Sequence, residues 1–175
     1  FLPDKEIFEE NNVELPKTFD EFLDVCTTFQ NAGVTPLAAG LKSWEPLLKS
    51  SMAFVTAEYL STDEGKGFGE KYRNGEVTMD GTWNPYIETW SQLIDNGVYT
   101  ADMTGIDHDQ ALEQFATGGS AMFCSGPWDY DAIMEKNPEL QLDMMPFYGT
   151  KESAGWLIGG PGCGFAANAS SKNLD

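Results

Sequence analysis

Residues 115–128 read Phe115-Ala116-Thr117-Gly118-Gly119-Ser120-Ala121-Met122-Phe123-Cys124-Ser125-Gly126-Pro127-Trp128. Within this stretch one helix ends, a strand passes and another helix begins. Gly118-Gly119 stops a helix that starts at Asp107, completes a capping box at Gln110 and carries Ala111, Leu112 and Phe115 on one face. Ala121–Ser125 is a short apolar run of the kind buried in a sheet. Pro127 stands where helices accept proline, at the first position, since an N–H there has no intrahelical partner. Helices alternating with short buried strands predict an α/β fold, with helices packed around a short central mixed sheet.

The rest of the chain extends this pattern. Thr18-Phe19-Asp20-Glu21 predicts a second capping box, and Phe19, Phe22, Leu23, Cys26 and Phe29 follow at helical spacing until Gly33. Trp83, Tyr86, Ile87, Trp90, Leu93 and Ile94 form one apolar stripe, predicting a single helix that ends at Asn96-Gly97. At that spacing the aromatic side chains are core. Further helices are expected over 4–11, 46–60, 64–74 and 127–136. Strands are expected at Val34–Ala39, Leu140–Met144 (where apolar and polar residues alternate) and Gly164–Asn168. No repeat, low-complexity tract or Pro/Gly/Ser linker divides the sequence, so residues 1–175 read as one domain. The first residues lead into a helix with no strand before it, and Asn168–Asn173 read as a turn and cap with no helix behind. Both ends therefore predict a segment excised from a longer chain.

Composition narrows the function. The 175 residues carry 28 acids against 10 bases, a net charge of −18, with 41% hydrophobic and 13% aromatic residues. That apolar content is enough for a core. The charge argues against nucleic acid, whose phosphates need a basic footprint, and against anionic membrane surfaces. No run approaches the roughly 20 apolar residues of a membrane-spanning helix. Cys26, Cys124 and Cys163 are odd in number and lack C-x-x-C spacing, so they read as small buried hydrophobes, with one disulfide between two of them left open. A lone histidine, His108, argues against histidine-based metal sites and triads.

Three loops collect residues that do not read as core. Lys42, Trp44 and Glu45 follow a strand end, where ligands bind in α/β sheets. Trp128 and Asp129 follow a second. Trp156, Gly159 and Gly160 belong to a third, glycine-rich loop that permits close backbone approach. Indole rings beside carboxylates and amines suit a sugar, whose C–H face lies on an aromatic ring and whose hydroxyls need both donors and acceptors. Competing motifs are weaker. Gly159–Gly164 is neither a dinucleotide fingerprint nor a P-loop. Asp102, Asp107 and Asp109 lack calcium-loop spacing. A pair such as Asp129 and Asp131 would serve a glycosidase only by facing each other across a cleft. No cofactor and no metal is expected.

These loops carry a family resemblance. Leu15-Pro16-Lys17-Thr18-Phe19-Asp20-Glu21-Phe22, Phe115–Met122 followed by Gly126-Pro127-Trp128, Trp156–Gly160 and Gly164–Asn168 resemble motifs of the family 1 extracellular solute-binding proteins of ABC transporters, which include maltose-binding protein. The resemblance implies a periplasmic-binding-protein-like type II lobe, here most of the second, C-terminal lobe of a two-lobe protein. It implies a carbohydrate ligand held between lobes, no catalysis, an ABC permease as partner, and an extracellular or periplasmic place with a lipid anchor. By position it gives Trp128 the sugar-stacking role, with Trp44 and Glu45 in a ligand-facing loop and Asp129, Gly159 and Gly160 lining the cleft. Pro3, where the family has Tyr, and the loop after Gly40 depart from the pattern, so the particular sugar is left open.

Overall fold

The computed structural model describes residues 1–151. In chain order its elements are β1 (Leu2–Pro3), α1 (Lys5–Glu10), α2 (Phe19–Asn31), β2 (Leu37–Ala38), α3 (Glu45–Val55) continued by a π-turn over Thr56–Leu60, α4 (Phe68–Arg73), α5 (Asn84–Trp90), α6 (Gln92–Asp95), a 3-10 turn over Ala101–Gly105, α7 (His108–Ala116), β3 (Met122–Phe123), a 3-10 turn over Pro127–Asp129 and α8 (Tyr130–Lys136).

The sheet has the order β1-β3-β2. β3 is central, antiparallel to β1 and parallel to β2, with Leu37 opposite Met122 and Ala38 opposite Phe123. Side chains alternate across this small mixed sheet, which therefore has two buried faces. Leu37 and Met122 join Phe8, Phe19, Phe29 and Phe54 of α1, α2 and α3 on one face. Leu2, Ala38 and Phe123 join Leu112, Phe115 and Ile133 of α7 and α8 on the other. The α/β expectation holds, with helices on both sides of the sheet.

Several local readings are corrected. A strand, β1, does precede the first helix. Its Pro3 is tolerated because β1 is hydrogen-bonded to only one named strand and proline lacks the N–H of a central strand. The alternating stretch 140–144 is no full strand: it makes one bridge, Asp4 to Leu142, flanked by Lys5 N–H to the Gln141 carbonyl at 2.9 Å and Asp143 N–H to the Pro3 carbonyl at 3.1 Å. The aromatic stripe forms two helices, α5 and α6, broken at Ser91, so Trp90 and Leu93 are buried while Ile94 faces solvent. The helix expected over 64–74 shortens to α4. At α2, Thr18 accepts from the Glu21 amide as predicted, but the Glu21 carboxylate takes the Lys17 amide at 2.7 Å and the reciprocal half of the box is not made. The predicted strand Gly164–Asn168 lies outside the described residues.

The Asp107 box is complete. Asp107 accepts from the Gln110 amide and the Gln110 side chain accepts from the Asp107 amide, both at 3.0 Å. Asp107→Ala is expected to cost about 1 kcal/mol, the usual loss for an acidic N-cap. Urea denaturation checks this, and an unchanged midpoint would show that the cap does not hold α7.

Candidate functional site

β2 and β3 run in parallel, so their C-terminal ends open on the same edge of the sheet. The loop 39–44 leaves one and the loop 124–126 leaves the other. Both meet the start of α7. Gly40 lies against the backbone of Asp107 and His108, where a Cβ would sit 2.7–2.8 Å from their main-chain atoms, so only glycine fits. The amides of Leu41 and Lys42 donate to the carbonyls of Met103 and Ile106 at 3.2 and 3.0 Å. The departing loop is thereby tied to the segment that leads into α7.

The starts of α3 and α7 and the loop at Cys124-Ser125 enclose a crevice of only about 20 Å³, roughly the room for one water. Glu45, Lys49, His108 and Ser125 are among the polar residues that line it. Two indoles stand out to solvent on the same loops: Trp44 is 68% exposed and Trp128 56%. A sugar-sized ligand does not fit inside the crevice. The lobe presents a surface with exposed rings and a polar crease.

The charged groups are paired. Lys49 Nζ lies 3.2 Å from Glu45 Oε1 and also 4.3 Å from the centre of the Trp128 ring, a cation–π contact. Gly126 allows this placement, since any side chain there would collide with the Trp128 ring. Lys42 Nζ is 3.9 Å from Asp107 Oδ2, a long exposed contact of little energetic worth. Asp129, only 8% exposed, accepts from the Ser125 hydroxyl on one oxygen and meets His108 Nε2 at 3.0 Å on the other.

Beneath the crevice runs a buried polar chain. The Tyr99 hydroxyl donates to Ser50 Oγ at 3.0 Å, and Ser50 Oγ donates to the Pro46 carbonyl at 2.8 Å. Together they fix the first turn of α3. Cys124 lies 3.6 Å from the same Tyr99 hydroxyl. Burial pushes the Cys124 thiol up and the Cys26 thiol up to about 12, and the two form no disulfide among the described residues.

Of the residues named from sequence, Lys42, Trp44, Glu45, Trp128 and Asp129 come together at this edge. Trp156, Gly159, Gly160 and Cys163 lie outside the described residues. Asp129 and Asp131 do not face each other: Asp129 is turned inward to Ser125 and His108, while Asp131, two residues on, is exposed. Asp107 serves as a helix cap, and among the described residues no three His, Cys, Asp or Glu side chains gather to hold a metal. None of the described helices is long and apolar enough to cross a membrane. Sequence reasoning missed Lys49, His108 and Ser125. Their partners are 79, 21 and 4 residues away in the chain, and only the folded loops bring the first two together.

A family model described as bacterial extracellular solute-binding protein matches residues 1–175. A multiple sugar-binding protein of Streptococcus mutans is 23% identical over 168 residues, which cover 95% of this chain and 40% of that protein. A family 1 extracellular solute-binding protein from Bifidobacterium longum subsp. infantis superposes with a TM-score of 0.77 at 22% identity, covering 89% of this chain and 40% of that one. RafE from Streptococcus pneumoniae superposes with a TM-score of 0.69 at 21% identity, covering 88% and 40%. RafE is also known in complex with raffinose. The chain thus spans about 40% of the length of these proteins. The structural likenesses show the fold, a solute-binding protein lobe.

Proposed function

This chain belongs to the bacterial extracellular solute-binding protein family, and from that premise we propose that it is the carbohydrate-binding second lobe of an ABC importer's capture protein. The observation that carries the reading is the pairing of two exposed indoles, Trp44 and Trp128, with a crease of donor–acceptor pairs at the C-terminal ends of parallel strands. An indole offers the flat apolar surface that the C–H face of a pyranose covers. Glu45 with Lys49, and Lys42 with Asp107, each place a donor beside an acceptor, which matches hydroxyls that both give and accept protons.

In this reading Trp128 and Trp44 stack on sugar rings, Glu45 and Lys42 bond hydroxyls, and Asp129 acts from behind through the groups it holds. The family resemblance alone adds Trp156, Gly159 and Gly160, outside the described residues, as further ligand contacts. A crevice too small for a sugar makes the lobe one wall of a cleft, so the ligand is gripped when a second lobe closes over it. The closed form then engages the permease. The relatives named for multiple sugars and solved with raffinose favour an oligosaccharide. The family is extracellular by its description, and a lipid anchor outside this segment would hold the protein at the membrane. The lobe binds and does no chemistry.

The test is calorimetric titration of the complete protein with raffinose, stachyose, xylotriose and chitotriose, against putrescine and a dipeptide. Saturable binding to a saccharide supports the reading. Binding confined to putrescine or the dipeptide, or turnover of an aryl glycoside, replaces it.

A further inference from the structure

We infer that His108 is itself a ligand-contacting residue of this site, its Nδ1 accepting a hydrogen bond from a saccharide hydroxyl. The inference rests on the sugar-binding reading and names a group that neither the family motif nor the loop sequences assign.

His108 opens α7 and lines the crevice together with Glu45, Lys49 and Ser125. Its side chain is 43% exposed. One ring edge is fixed: Nε2 sits 3.0 Å from Asp129 Oδ1. A carboxylate oxygen accepts, so the contact puts a proton on Nε2, and in the Nε2–H tautomer Nδ1 is left as an acceptor. Nδ1 makes no hydrogen bond among the described residues. The ring is also supported by Phe123, whose centroid is 5.6 Å away.

The carboxylate behind the ring is itself held. Asp129 is buried and receives the Ser125 hydroxyl on its other oxygen. Such an arrangement is poorly explained by stability. A buried charged group costs several kcal/mol to desolvate, and apolar side chains of similar size commonly serve a fold as well. Nor does a helix need it, because α7 is already capped by Asp107 with Gln110 and the next turn is set by Pro127. What the network supplies is one tautomer in one orientation at the edge of a polar crease. A carboxylate that fixes a histidine tautomer through one nitrogen leaves the other to read a ligand.

The experiment uses the complete protein and separates contact from support. Glutamine at this position reproduces an Nε2–H donor that reaches Asp129 but has no atom corresponding to Nδ1. His108→Gln is therefore expected to keep its unfolding midpoint and to weaken binding of whichever saccharide among raffinose, stachyose, xylotriose and chitotriose the wild type takes by at least about tenfold, as expected for an unmet hydroxyl. In the wild type, the 15N resonance of His108 Nδ1 should shift on saturation with that sugar, as a bare imidazole nitrogen does when it accepts a hydrogen bond. Unchanged affinity in His108→Gln overturns the inference and leaves the sugar reading standing. Weakened binding without a change at Nδ1 makes His108 a supporting residue and overturns it too. A wild type that takes none of the four saccharides removes the sugar reading and this inference together.

Discussion

Trp128→Ala in the complete protein is expected to weaken saccharide binding at least about tenfold, equivalent to 1.4 kcal/mol. The indole is more than half exposed, yet its position is specified from two sides. Gly126 leaves room for the ring, and the Lys49 ammonium stands 4.3 Å from its centre, itself held by Glu45. A tryptophan fixed in this way has little rotamer freedom left to lose when a sugar covers it. Rigid aromatic anchors of that sort carry a large share of binding energy at interfaces. Alanine removes the stacking face and frees Lys49 from its ring partner, so both stacking and preorganisation go. Titration of the variant with the sugar bound by the wild type measures this. Retained affinity would take Trp128 out of the site.

Phe123→Ala is expected to cost about 3–5 kcal/mol of stability, the range for emptying a buried aromatic site. Phe123 lies on the central strand and is fully buried. Its ring stacks on Phe115 of α7 at 5.7 Å and supports the His108 ring at 5.6 Å. The surrounding elements are a two-residue strand on each side and two short helices, which leave little freedom to collapse into the void. Urea unfolding measures the loss. A change below about 1 kcal/mol would mean that the face of the sheet under α7 and α8 is not a packed core. The binding defect of this variant should exceed that of a remote core truncation of equal cost, because His108 loses its support as well.

How far sequence reading reached depended on whether the governing interaction was local. α2 and α7 were readable because a cap and a 3.6-residue period lie within each helix. Thr18 and Asp107 mark their starts, and Phe22 and Phe115 show which side turns inward. β1 was not readable, since two residues carry no period, and Leu2–Pro3 become a strand only because β3 passes beside them. The alternation at Leu140, Leu142 and Met144 was real, but a single bridge to Asp4 uses it. The break at Ser91 has no proline or glycine to announce it. At the site, tryptophans and acids just after strand ends marked the loops. The groups that organise them were hidden: Lys49 belongs to a helix whose pattern reads as ordinary, and His108 was weighed only for metal sites and triads because its partner Asp129 lies 21 residues on.

The mixed sheet also bears on how the chain assembles. Its central strand finds neither neighbour nearby: β3 pairs with residues 85 positions earlier on one side and 119 and 121 positions earlier on the other. Each pairing closes a long loop before any strand hydrogen bond is made, and topologies dominated by such distant contacts fold slowly for their size. A chain emerging from its N-terminus therefore has α2 and α3 available early, while Leu37 and Ala38 wait for Met122 and Phe123. Synthesis must pass residue 123 before the sheet exists at all, which leaves a long interval in which the polypeptide is still threadable.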